Sequence, residues 1–156
     1  MAKEIERKFL VRGTDYKRIA SGRRHIVQAY LSPDPDATVR VRVAGDEAFL
    51  TVKGRNAGCV RDEWEYPVPM ADALAMIRLA RLAPIEKTRW YVGFGGYTWE
   101  IDEFHGRLEG LTVAEVEMAD AADRLPLPAF IAREVTDDKR YFNSVLARGS
   151  EIPPSA

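Results

Sequence analysis

Thr38-Val39-Arg40-Val41-Arg42-Val43 is the stretch on which the fold turns. Its three valines alternate with a threonine and two arginines, and a strict period of two marks a β-strand with one apolar and one polar face. Ala44-Gly45-Asp46 supplies turn residues, so Glu47 to Lys53 reads as the return strand of a hairpin, with Thr51 and Lys53 opposite Leu50 and Val52. A single charged strand face is ordinary solvent-facing surface. Here, however, the pattern recurs in both directions along the chain.

Upstream, Glu4, Glu6 and Lys8 share one face of a first strand against Ile5, Phe9 and Val11, with Arg7 interrupting the apolar set. A short helical stretch follows at Thr14 to Ala20. His25 to Leu31 then forms a strand with Gln28 and Tyr30 on one face, ended by Ser32-Pro33-Asp34-Pro35. Downstream, Arg61, Glu63 and Glu65 alternate with Asp62, Trp64 and Tyr66. Ala71 to Leu82 carries Leu74, Ile77 and Leu82 at helical spacing, and Pro84 ends it. Three strands come next: Ile85 to Val92 with Lys87 and Arg89, Tyr97 to Phe104 with Glu100 and Asp102, and Thr112 to Met118 with Glu115 and Glu117. Gly93 to Gly96 is the turn between the first two. A closing helix is expected over Asp137 to Ala147, capped by Thr136. Residues 1–148 read as a single domain and 149–156 as a frayed tail rich in Ser and Pro.

At 156 residues the chain has room for one core that buries roughly 70% of its unfolded surface. Twenty-three Lys and Arg against twenty-four Asp and Glu leave a net charge of -1, with no global excess of positive charge to attract nucleic acid or anionic lipid. Any basic site is local. The lone Cys59 excludes an internal disulfide and a Cys-rich zinc site, and it favours a reducing compartment. No apolar run approaches the ~20 residues of a membrane helix, and Met1 to Glu6 lacks the apolar run of a signal peptide. The expectation is a cytoplasmic protein without a nucleic-acid or membrane partner. A homodimer is compatible with the sequence.

One face from each strand collects Glu4, Glu6, Glu63, Glu65, Glu100, Asp102, Glu115 and Glu117, together with Lys8, Arg40, Arg42, Lys53, Lys87 and Arg89. These occur as short pairs of like charge, which repel unless an opposite charge lies between them. Eight strands with helices to cover the apolar face can close into an antiparallel barrel, an α+β architecture with the charged faces turned inward and the helices packed outside. Buried charges need partners. A polyanion held by the cations and a divalent metal held by the carboxylates satisfies both signs. Oxygen-only donors suit Mg²⁺ or Mn²⁺ and disfavour zinc.

Glu4-Ile5-Glu6-Arg7-Lys8 resembles the E-x-E-x-K signature of the CYTH, or triphosphate tunnel metalloenzyme, superfamily. The ordered series Arg40-x-Arg42, Thr51-x-Lys53, Glu63-x-Glu65, Lys87-x-Arg89, Glu100-x-Asp102 and Glu115-x-Glu117 is similar too, and Tyr141-x-Asn143 looks like the closing segment. The resemblance implies an eight-stranded antiparallel tunnel that acts on a triphosphate with a divalent metal. It implies Glu4, Glu6 and Glu117 as ligands of a first metal, with Glu63, Glu65, Glu100, Asp102 and Glu115 holding metal-bound waters or a second ion. Lys8, Arg40, Arg42, Lys53, Lys87 and Arg89 become the phosphate cradle. The bacterial tripolyphosphatase branch looks most similar, implying hydrolysis of inorganic triphosphate to pyrophosphate and phosphate, with nucleoside triphosphates weaker. A class IV adenylate cyclase, a thiamine triphosphatase and a non-catalytic polyphosphate-binding module are the alternatives.

Tyr30 shares the inferred inner face with Gln28, and a fold that brings it to Lys87 makes the pair a catalytic dyad, the phenolate acting as base. The alternative leaves Tyr30 bonded to a phosphate oxygen or filling the wall. His25 and His105 match no motif. Trp64, Trp90 and Trp99 alternate away from the charged faces, as contacts between sheet and helices would. Arg61 and Glu47 share the parity of the charged set but stand near strand ends, where solvation is equally expected.

Overall fold

Alternating strands dominate the computed structural model, which describes residues 3–149 and 151–156. Met1 and Ala2, at the start read as leaderless, and Ser150, in the expected tail, lie outside the described residues. The strands are β1 (Lys3–Val11), β2 (Gly22–Ser32), β3 (Thr38–Ala44), β4 (Glu47–Lys53), β5 (Val60–Pro67), β6 (Ile85–Phe94), β7 (Tyr97–Phe104), β8 (Thr112–Glu117) and β9 (Ile131–Glu134). The helices are α1 (Tyr16–Ile19), α2 (Met70–Leu79) and α3 (Asn143–Leu146). None is long and apolar enough to cross a membrane.

The strands follow the order β5-β4-β3-β2-β6-β7-β8-β1-β9 in antiparallel pairs, and a further β5–β1 pairing closes eight of them into a barrel. One edge of β1 is divided between two partners. Lys3 to Ile5 pair with Asp62 to Val60, whereas Phe9 and Val11 pair with Glu134 and Ile131 of β9. The ninth strand therefore lies outside the ring. Sequence reading missed it because four residues, Ile-Ala-Arg-Glu, carry too little alternation to register.

Register turns the charged faces inward. Glu6 lies opposite Glu117, Lys8 opposite Glu115, Tyr30 opposite Arg40, Gln28 opposite Arg42, Lys53 opposite Glu63, and Arg89 opposite Asp102. The apolar positions face out and are covered in two places. Phe9, Val92, Trp99, Ile101, Ala114 and Val116 pack with Tyr16, Phe130 and Ile131, while Ala29, Val41 and Ala48 pack under Ala73 of α2. Trp90 and Trp99 join the first layer, as their parity predicts. Trp64 stays 38% exposed on β5, because α2 crosses β2, β3 and β4 and stops short of that strand. Inside the barrel Leu10, Ile85, Phe104 and Val113 meet Tyr141 and Leu146, so the C-terminal segment packs against the inward apolar positions at one end.

Three local expectations are corrected. Residues 137–147 do not form one helix: a 3-10 turn at Lys139–Tyr141 and α3 are separated by Phe142, whose φ of -69° and ψ of 131° are extended. That break allows Tyr141 to enter the apolar end while Phe142 and Asn143 reach the tunnel. Thr136, expected as a cap, instead accepts a hydrogen bond at Oγ1 from the Lys8 amide at 3.0 Å. In the β6–β7 hairpin the turn shrinks to Gly95 and Gly96, with φ of 61° and 83°, and β6 runs on to Phe94. Two consecutive positive φ values suit a tight primed hairpin turn, and a Cβ on Gly95 would stand 2.7 Å from Pro126.

On the outer face, Glu103 accepts bonds from the Tyr16 hydroxyl at 2.8 Å and from the Trp90 indole, and it pairs with the Lys17 ammonium at 2.9 Å. Burial opposes its ionisation, but these donors outweigh that and hold its pKa below the usual value. A depressed carboxyl stabilises the fold above its unfolded pKa, and the contribution disappears as pH falls through the folded one. Glu103→Gln is therefore expected to lose about 2 kcal/mol at neutral pH. In urea melts at several pH values, its deficit relative to the parent should shrink toward pH 3.

Candidate active site

Ring order separates the charges. Cations stand on the neighbouring strands β4, β3 and β6, with Gln28 and Tyr30 of β2 between them, whereas acids stand on β7, β8, β1 and β5. Lys8 and Arg61 are the inward-facing cations on the acidic side. Strand sequence alone contains no information about this division, because it arises from which strands become neighbours.

The centre is a buried ion cluster. Lys87 is fully buried, with Nζ 2.7 Å from Asp102 Oδ2, and Arg89 grips the same carboxylate from Nε at 2.8 Å and Nη2 at 2.9 Å. Arg89 also reaches Glu100 at 3.1 Å and Glu115 at 3.7 Å, and Lys8 approaches Glu115 at 3.5 Å. On the other side Lys53 donates to both Glu4 oxygens at 3.0 and 3.1 Å and lies 3.2 Å from Glu63. Arg40 donates to Thr51 at 3.2 Å and lies 3.6 Å from Glu65. Arg42 meets no carboxylate within 4 Å among the described residues and donates instead to Gln28 Oε1 at 2.9 Å.

These contacts divide the acids into two groups. Burial disfavours the Asp102 and Glu115 carboxylates, but Arg89 and Lys87 at the first, and Lys8 and Arg89 at the second, overcome it and lower both pKa values. Glu4 is lowered in the same way, burial being outweighed by Lys53. Glu6 is pushed well up by burial and by neighbouring Glu115 and Glu4, and Glu63 rises to about 7 through burial and its hydrogen bond with Glu4. Burial also raises Glu100 and Glu117. Among the cations, burial lowers Lys87 to about 7, against the pull of Asp102 and with the help of Arg89 and Arg42. Burial together with Arg40 and Arg89 brings Arg42 down to about 10.

The under-compensated acids therefore want positive charge, and the under-compensated cations want negative charge. An oxygen donor set of this kind fits a hard divalent cation. The expected ligands do not yet form one coordination sphere: among the described residues no three acidic, histidine or cysteine side chains close on a common point. Glu4 meets Lys53 instead, while Glu117 stands exposed at the opening bordered by Tyr97, Thr98 and Glu100.

The Tyr30–Lys87 dyad does not form directly. Lys87 lies opposite Ile26 of β2, four residues from Tyr30 and so about 13 Å along the strand. The two are joined through amides: Gln28 Nε2 donates to Asn143 Oδ1 at 3.0 Å and stands 3.4 Å from the Tyr30 hydroxyl, and Lys87 donates to the same Asn143 oxygen at 2.9 Å. Sequence reasoning noted Gln28 and Asn143 only for their strand face and motif. Their bonding needs the C-terminal segment folded onto the barrel, over a separation of 115 residues. His25 and His105 lie off the tunnel, on Glu86 at 2.9 Å and Thr88 at 2.7 Å.

A closed antiparallel barrel with a basic and an acidic inner wall defines a charged-tunnel protein. A CYTH domain family model matches residues 2–144, and the chain belongs to the CYTH domain family. The inorganic triphosphatase of Acetivibrio thermocellus is 46% identical over 149 residues, 95% of each chain. That of Nitrosomonas europaea is 36% identical over 151 residues, covering 92% of this chain and 96% of the relative. The crystal structure of an inorganic triphosphatase superposes with a TM-score of 0.65 at 33% identity, covering 99% of both chains.

Because Glu63 and Glu6 hold protons more tightly than free carboxyls, a divalent cation competes with protons for the acidic wall. Affinity for Mg²⁺ should weaken as pH falls through about 7. Calorimetric titration at pH 6.5 in buffers of different ionisation enthalpy should detect protons released on binding. No release, with a pH-independent Kd, would contradict the assignment.

Proposed function

We propose that the chain hydrolyses inorganic triphosphate to pyrophosphate and phosphate in this tunnel, with Mg²⁺ or Mn²⁺ as cofactor. The segregation of the two charged walls inside a closed barrel carries the reading. It is supported by the two inorganic triphosphatases to which the chain is 46% and 36% identical. The setting is the cytoplasm, which a single unpaired thiol at Cys59 favours.

In this reading Lys8, Arg40, Arg42, Lys53, Lys87 and Arg89 bind the phosphate chain and neutralise charge on its oxygens as a P–O–P bond breaks. Glu4, Glu6 and Glu117 hold the metal, aided by Glu63, Glu65, Glu100, Asp102 and Glu115. When bound, such an ion would withdraw charge from the phosphoryl oxygens and orient water. In the reaction a water oxygen bonds to phosphorus as the P–O bond to the bridging oxygen breaks, a proton of that water passes to a carboxylate oxygen of the acidic wall, and the bridging oxygen leaves with the pyrophosphate or phosphate product. Asp102 fixes Lys87 and Arg89 in place, and Asn143 and Gln28 orient the Lys87 and Arg42 donors. Tyr30 acts as a binding group beside Gln28, since its hydroxyl is hydrogen-bonded to Gln28 and to no cationic side chain among the described residues.

A panel of tripolyphosphate, ATP, thiamine triphosphate and pyrophosphate, assayed with Mg²⁺ and with Mn²⁺, tests the proposal. Tripolyphosphate should give the highest kcat/KM, and ATP should yield ADP and phosphate. Accumulation of cAMP would place the protein among the cyclases instead. Glu6→Ala and Glu117→Ala should each lower kcat by roughly a thousandfold without lowering Tm. Near-parental turnover at saturating metal in either variant would remove that residue from the metal site.

A further inference from the structure

Arg61 is an inward-facing cation outside the motif series and on the acidic side of the barrel. It stands on β5 opposite Glu4 of β1, yet its guanidinium crosses β4 to the basic side, where Nη2 donates to Thr38 Oγ1 of β3 at 3.1 Å. Nε donates to the Gly54 carbonyl at 2.8 Å. Nη1 makes no hydrogen bond among the described residues, and Arg61 lines the same cavity as Thr38, Arg40, Arg42, Lys53 and Asn56. Of the three arginines lining that cavity, Arg40 approaches Glu65, whereas Arg42 and Arg61 meet no carboxylate within 4 Å among the described residues. An arginine left without a counterion in a polar cavity is equipped to receive an anion.

Its placement indicates which part of an anion it meets. Arg42, Arg40 and Thr38 are successive inner positions of β3, spaced about 6.6 Å apart along the strand. By bonding to Thr38, Arg61 places a guanidinium where β3 itself offers only a hydroxyl. It thereby extends the row of cations by one step toward the loop at residues 54–59.

We propose that Arg61, with Thr38 and Asn56, forms an additional phosphate subsite at this end of the tunnel, which binds the outer end of a linear inorganic phosphate chain and makes affinity depend on chain length. The inference rests on the tripolyphosphatase reading. A chain that reaches Arg61 gains a charge-assisted contact that pyrophosphate, held by Arg40 and Arg42, is too short to make. Arg61 is thus a specificity residue that touches substrate, with no part in moving protons.

The bonds to Gly54 and Thr38 offer a competing role, a brace for the loop, and the test separates the two. Arg61→Ala should raise KM for tripolyphosphate about tenfold, leave kcat within about twofold and leave inhibition by pyrophosphate within about twofold. Arg61→Lys restores the charge without the forked geometry that holds Gly54 and Thr38, and should recover most of the lost KM. The KM of the parent should also rise more steeply with salt than that of Arg61→Ala. A fall in kcat at unchanged KM, an equal weakening of pyrophosphate, or a lysine variant as impaired as the alanine one would overturn the subsite and leave Arg61 a brace. If the parent fails to hydrolyse tripolyphosphate, the proposed function fails, but calorimetric titration of tripolyphosphate into parent and Arg61→Ala still decides the subsite. A Kd weakened about tenfold supports it, and equal Kd values refute it.

Discussion

Three residue pairs between β1 and β5 close the sheet: Lys3 with Asp62, Glu4 with Arg61 and Ile5 with Val60. With that seam open, the charged faces would form one side of a curved sheet in water, where ion pairs contribute little. With it shut, they line an enclosed space of low effective dielectric, and each charge must find an opposite one or shift its pKa. The shifts of Glu6, Glu63, Lys87 and Arg42 all follow from this enclosure. Closure works because β1 shares its edge, giving its first residues to β5 and its later ones to β9.

An interior of this composition is poorly suited to maximising stability. Desolvating a buried ion pair costs about as much as its attraction returns, so Asp102 between Lys87 and Arg89 is better understood as a fixed electrostatic geometry than as cohesion. Cohesion comes from elsewhere. Trp99, Phe9, Ile101 and Val116 pack under α1 and the segment near Phe130, and α2 covers Ala29, Val41 and Ala48. The apolar skin supports a tunnel whose charges remain short of partners. Among the described residues Glu6 meets no cation within 4 Å, Glu63 shares Lys53 with Glu4, and Arg42 meets no carboxylate, a pattern that a metal and a phosphate chain complement together.

The C-terminal segment connects these two parts of the molecule. Tyr141 and Leu146 fill the apolar end of the barrel, while the extended backbone at Phe142 sends Asn143 to Gln28 and Lys87. Lys8 also donates to the Tyr141 carbonyl at 3.3 Å. One short stretch thus closes the apolar end and orients donors on the basic wall.

The eight barrel strands and the inward parity of their charged faces were legible in the sequence, because a period of two specifies a face without reference to partners. The ordered like-charge pairs also identified the family that the CYTH domain match bears out. What the tertiary structure decided was neighbourhood. Strand order alone separates a basic wall from an acidic one, divides the β1 edge between β5 and β9, and sets Lys87 four positions along β2 from Tyr30. It also breaks the expected C-terminal helix at Phe142 and carries Arg61 past β4 to Thr38 of β3. Alternation is a local property that any strand displays alone, whereas pairing, register and the fate of a buried charge depend on residues far apart in the chain.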